Sequence, residues 1–162
     1  MSGKGQPTAE SLSLDTDGAG LKVTIVSGLW HTRISEGLLG GATTVLDASG
    51  ADVTLVQVPG SFELPVAAKV ALEAGADAVV ALGVIVRGET PHFDYVAAAA
   101  TDGLTRVALD TGKPVGFGVL TVDTEQQGLD RAGLPESNED VGGRAAEAAL
   151  AMVHVLRGIT GR

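Results

Sequence analysis

At 162 residues the chain has the size of one ordinary domain, able to bury about two-thirds of its unfolded surface around a single core. Apolar residues make up 44% and mean hydropathy is +0.26, which excludes disorder over most of the length. The longest apolar run, Ala78–Val86, is far short of the ~18 residues a membrane span needs. A net charge of −9 opposes general adhesion to nucleic acid or anionic lipid, and the absence of cysteine removes disulfides, thiolate nucleophiles, thiolate zinc sites and iron–sulfur clusters.

Residues 1–19 are polar and lack apolar periodicity apart from Leu12 and Leu14, so a mobile arm is expected, with a short strand at 11–14 able to join a neighbour's sheet edge. The first ten residues have no apolar stretch like that of a signal peptide, and a cytoplasmic protein is expected. From Leu21 the pattern changes. LKVTIVS (21–27) reads as a buried strand, and the apolar spacing of Ile34, Leu38, Leu39, Ala42, Val45 and Leu46 predicts a helix over 34–48. VTLVQV (53–58) is the second strand, followed by Pro59-Gly60 and a helix over 63–74 with Pro65 in its first turn.

DAVVALGVIV (77–86) is the third strand. Thr90-Pro91 reads as an N-cap and a proline at the first helical position, opening a helix to about Leu109. PVGFGVLTV (114–122) is the fourth strand, and two helices follow over 124–132 and 140–157. Strict alternation of helices with near-continuous Val/Ile/Leu strands predicts a single α/β domain over 20–158, with a tail at 159–162. The expected architecture is a three-layer α/β/α sandwich around a four-stranded parallel sheet, flavodoxin-like in type. Apolar residues also cover most of the circumference of RAAEAALAMVHVLR (144–157), and VAAAA (96–100) permits close backbone approach, so an oligomer is expected.

Ligands of such sheets bind beyond the carboxyl ends of the strands. Trp30, His31, Phe62, Glu63, Arg87, His92, Phe93 and Tyr95 all fall there, so four of the five aromatics of the chain gather on one rim. In RGETPH (87–92) the glycine permits close approach, and the free N–H groups of the helix start with the Thr90 hydroxyl form an anion site; the plain alternative is an ordinary capped helix. Glu89 would repel an anion and must turn away or pair with a cation such as Arg87. His92 is the general acid/base candidate, since imidazole both gives and takes a proton near neutral pH. A metal pair of His92 and Asp94 is disfavoured because residues two apart face differently on a helix. Arg131 is either a second anion ligand or a helix-end arginine, Glu63 either recognises hydroxyls or caps the helix start, and His154 reads as a packing or surface residue.

Taken together, LWH (29–31), PGSFELP (59–65), ALGVIVRGETPHFDYV (81–96), GVLTVDTEQQGLDRAG (118–133) and NEDVGG (138–143) resemble the 6,7-dimethyl-8-ribityllumazine synthase family, in order and over residues 20–157. The resemblance implies condensation of 5-amino-6-ribitylaminouracil with 3,4-dihydroxy-2-butanone 4-phosphate in riboflavin biosynthesis, with no cofactor and no metal. It implies a homopentamer with sites between neighbouring subunits, free or paired, or built into a sixty-subunit shell; the long LPESNED stretch (134–140) favours the free or paired ring. It places Trp30 on the pyrimidine, Ser61, Phe62 and Glu63 around the ring and its ribityl chain, and the backbone of Val84, Ile85 and Val86 on the ring edge. His92 would handle protons, and Glu89 and Thr90 would line a phosphate site. Phe117 and Arg131 would come from the adjacent subunit. One departure stands out: Val141 occupies a position where the family usually has lysine, which predicts weaker phosphate binding, with Arg144 three residues on as the substitute cation. A relative that retains the scaffold and the ring pocket but has lost turnover is the competing reading.

Overall fold

The computed structural model describes Gly5, Pro7 and residues 13–162. The strand expected at 11–14 lies partly outside the described residues. Four strands, β1 (Lys22–Gly28), β2 (Asp52–Val58), β3 (Ala78–Val86) and β4 (Val115–Val122), form one parallel sheet in the order β2-β1-β3-β4. The connections are helices α1 (Thr32–Ser49), α2 (Leu64–Glu73, after a 3-10 turn at Ser61–Glu63) and α3 (His92–Thr111). After β4 come the short α4 (Glu125–Leu129) and the long α5 (Val141–Thr160). The expected three-layer flavodoxin-like sandwich with four parallel strands is what the chain forms.

The strands alternate between two cores. On one face Val23, Ile25, Val80 and Leu82 pack with Leu38 and Leu46 of α1 and Leu150 of α5. On the other, Val26, Val79 and Ala81 pack with Leu64 and Leu72 of α2 and Leu104 of α3. β3 is central and buried along nearly its whole length, which is why its sequence is continuously apolar rather than alternating. The chain leaves β1 toward β2 on one side and later adds β3 and β4 on the other, so the order of the sheet reverses between β1 and β3. That reversal opens a crevice at the carboxyl ends of these two strands.

Several boundaries differ from those read in the sequence. α5 runs on to Thr160, and α3 starts at His92 with Pro91 in the cap position. Pro91 has ψ near 1°, so the helical run begins only after it, and the Thr90 hydroxyl accepts the His92 N–H at 3.4 Å. Residues 15–19 are held by two aspartate turns, in which Asp15 accepts the Asp17 N–H at 2.9 Å and Asp17 the Ala19 N–H at 3.0 Å. His154 on α5 meets this segment, with Nε2 2.6 Å from the Asp17 carbonyl oxygen and Nδ1 3.6 Å from the Asp15 carboxylate. It is thus a surface histidine tied to the chain's early residues.

Candidate active site

The crevice at the sheet reversal holds a cavity of about 350 Å³, lined by Trp30 and His31 after β1, Ser61, Phe62 and Glu63 after β2, Val84–Val86 at the end of β3, and Thr90 and His92 at the start of α3. Short connections from adjacent parallel strands bring these residues together. Trp30 stands 67% exposed over the opening, an unfavourable place for an indole unless something covers it. The turn that carries it is braced by Ser35, whose hydroxyl donates to the carbonyls of Trp30 at 2.7 Å and His31 at 2.9 Å. His31 itself takes a left-handed conformation, φ 56°, as it turns the chain into α1.

Two glycines make room for this arrangement. A Cβ on Gly60 would lie 3.2 Å from the Trp30 ring and 3.4 Å from a Glu63 carboxylate oxygen, so the bare backbone lets both groups lie over it. A Cβ on Gly83 would lie 2.5 Å from the Ser61 hydroxyl. Among the described residues that hydroxyl is the buried side-chain polar atom with no hydrogen-bond partner. Leaving such a group unpaired is costly, and in a cavity wall a water or a ligand atom can supply the partner. The Glu63 carboxylate makes none of the capping bonds considered for it and faces the cavity instead. His92 is exposed at the cavity's edge, two residues after Thr90.

Not every rim residue converges here. Tyr95 is 75% exposed on α3 and does not line the cavity, although it lies one turn along the helix from His92. The Arg87–Glu89 pairing considered from sequence does not form. Arg87 instead donates from Nε to Asp123 at 2.7 Å and from Nη1 to Asp94 at 3.5 Å, and its guanidinium carbon sits 4.2 Å from the centroid of the Phe93 ring. The hydrogen bond to Asp123 and the charge of Asp94 hold the Arg87 pKa above its ordinary value. Glu89 is exposed and lies outside the cavity lining. The sequence reading missed this Arg87 cluster, though an arginine at the end of a buried strand was a visible signal.

Phe117 and Arg131 lie in a second, larger hollow of about 1180 Å³ between β4 and α5, together with Val141, Glu139 and Arg144. Here the chain folds back after α4: the Asp130 carbonyl accepts the N–H groups of Asn138 and Glu139, and the Arg131 carbonyl accepts the Val141 N–H at 3.1 Å. Val141 therefore adjoins Arg131, which explains how a residue ten positions away belongs to the same neighbourhood. Arg131 donates from Nη1 to the Gln127 carbonyl at 2.9 Å, so it ends α4 as a helix-end arginine would while still lining the hollow. Arg144 pairs with Glu139. Among the described residues no group of three or more His, Asp or Glu side chains is placed to hold a metal ion, and no helix is long and apolar enough to cross a membrane.

Residues 20–157 match the family model described as 6,7-dimethyl-8-ribityllumazine synthase. A Leifsonia xyli subsp. xyli protein of that name is 66% identical over 161 residues, covering 99% of this chain and 100% of its own. One from Clavibacter sepedonicus is 63% identical, with 99% of each chain covered, and one from Streptomyces avermitilis is 53% identical over 99% of this chain and 98% of its own. With the match spanning the sheet, the crevice residues and the Arg131–Val141 fold-back alike, this chain is an enzyme and belongs to the 6,7-dimethyl-8-ribityllumazine synthase family.

Proposed function

We propose that the chain condenses 5-amino-6-ribitylaminouracil with 3,4-dihydroxy-2-butanone 4-phosphate, forming 6,7-dimethyl-8-ribityllumazine, orthophosphate and water in riboflavin biosynthesis. The observation that carries this reading is the convergence of Trp30, the unpaired Ser61 hydroxyl, the Glu63 carboxylate and His92 on one cavity at the sheet reversal. A flat uracil ring fits under the Trp30 indole. The ribityl hydroxyls give Ser61 and Glu63 their partners, Phe62 closes the side, and the backbone of Val84, Ile85 and Val86 reads the ring edge. The phosphate sits toward the helix start with Thr90 and the Glu89 backbone, where unsatisfied N–H groups favour an anion.

In the reaction the pyrimidine amine attacks the ketone and loss of water gives a Schiff base. Elimination then expels orthophosphate, and attack of the ribityl-bearing nitrogen closes the ring with loss of a second water. His92 moves protons between these steps, and no cofactor is needed. Holding both substrates in one place supplies much of the acceleration. Phe117 and Arg131 open onto a different hollow from His92 in the same chain, so a complete site needs them from a neighbouring copy. Exposed apolar side chains such as Leu109 and Ile159 agree with burial in an assembly, and we read this assembly as a cytoplasmic homopentamer.

Mixing the two substrates with the protein and following lumazine absorbance tests the reading. A rate no higher than the spontaneous one would favour the alternative, a ring-binding or assembly relative without turnover, for which Val141 and its missing cation are the motivating feature.

A further inference from the structure

Arg87 directly follows β3 and reaches three partners, two on α3 and one in the turn after β4. Nε donates to Asp123, the residue after β4, at 2.7 Å; Nη1 donates to Asp94 at 3.5 Å; and the guanidinium plane lies against Phe93. Phe93 and Asp94 directly follow His92 in the first turn of α3. Asp123 leads onward: its N–H donates to the Gln127 side-chain oxygen at 2.8 Å, and the Gln127 carbonyl accepts Arg131. A chain of polar contacts thus runs along the strand ends from the helix turn that carries His92 to the guanidinium of Arg131.

Exposed ion pairs add little to stability, so folding energy does not explain three contacts converging on one exposed arginine. Direction does. Phe93 and Val96 pack the start of α3 against the core, but its polar capping is weak, because Pro91 supplies no side-chain cap and the Thr90 hydroxyl meets the His92 N–H only at 3.4 Å. A planar guanidinium presents donors in fixed directions and stacks on a ring, which a lysine ammonium cannot reproduce.

We propose that Arg87 is a positioning residue for this reaction: by gripping Asp123, Asp94 and Phe93 at once, it fixes the first turn of α3, and with it His92, relative to the carboxyl ends of β3 and β4. The inference rests on the reading of His92 as the proton-transfer group.

The test compares Arg87→Lys, Arg87→Met and Asp123→Asn with the parent in the intact assembly, with Arg106→Lys as a control on the outer surface of α3. Arg87→Lys is expected to lower kcat about tenfold while KM for both substrates stays within about twofold, the pattern of a misaligned rather than a missing binding group. Arg106→Lys is expected to behave as the parent. Adding Asp123→Asn to Arg87→Met should cost little more than Arg87→Met alone, since both remove one contact. Amide exchange over residues 92–98 should speed up about fivefold in Arg87→Met while residues 22–28 keep their protection.

An Arg87→Lys enzyme with unchanged kcat overturns the proposal. So does a rise in KM alone, which would make Arg87 a substrate ligand, and so do fully multiplicative losses in the double variant. The exchange measurement decides even if the parent forms no lumazine: that outcome refutes the reaction, whereas unchanged exchange at 92–98 refutes the positioning role.

Discussion

Ser61→Ala separates stability from binding, because the two are expected to move in opposite directions. In the free protein the Ser61 hydroxyl is buried, unpaired, and seated against Gly83 where any Cβ would collide with it. An unsatisfied buried hydroxyl costs about 1–3 kcal/mol, so its removal, leaving a methyl in a site of nearly the same volume, should stabilise the ligand-free protein by about 1 kcal/mol. For a chain of this size that is a rise of about 2–4 °C in Tm, measured at fixed protomer concentration because assembly shifts the midpoint. With a saturating ribitylated pyrimidine analogue present, the hydroxyl gains its partner and the alanine variant's advantage in Tm disappears. Loss of one neutral hydrogen bond of about 1 kcal/mol weakens binding about fivefold. The assay is a pair of thermal melts, with and without the analogue, together with a calorimetric titration. An alanine variant that melts lower than the parent without ligand and binds the analogue equally well would refute the argument that this hydroxyl awaits a ligand atom.

Three further outcomes are expected. His92→Ala should reduce kcat by about 10²-fold, the lower end for general acid–base catalysis, with a smaller effect on binding of the pyrimidine; steady-state kinetics with unchanged kcat would remove His92 from the chemistry. Arg131→Ala deletes a charge-assisted contact of about 1.5–3 kcal/mol, so KM for the phosphate substrate should rise at least tenfold, and an unchanged value would detach Arg131 from the anion. Val141→Lys places a cation beside the Arg131 backbone and should tighten orthophosphate binding several-fold by titration. Its expected penalty is about 1 kcal/mol of stability, from a partly buried apolar position at a helix start; no gain in affinity would mean that the site already has its cations.

How each residue relates to the sequence reading depends on the range of the forces that place it. Val79, Val80, Ala81 and Leu82 announced a central strand because a strand covered on both faces needs apolar residues at every step, a demand written locally. Trp30, Glu63 and His92 were placed on the rim in the same way, each within a few residues of a strand whose carboxyl end opens on the crevice, whereas Ser61 was named only through the family resemblance. Of the two choices open for Glu63, the helix-start cap does not form, because packing turns its carboxylate over Gly60 and away from the backbone amides.

Arg87 shows where local rules stop. Its nearest acidic neighbour along the chain is Glu89, yet it pairs with Asp123, 36 positions away, because β3 and β4 run side by side and bring their ends together. Val141 likewise adjoins Arg131 only because the chain folds back after α4. Periodicity and strand-end position, which act over a few residues, were enough for the layers of the sandwich and the rim of the site. Which charges meet across that rim depends on strand order and register, set by the whole core at once, and no short stretch of the chain encodes them.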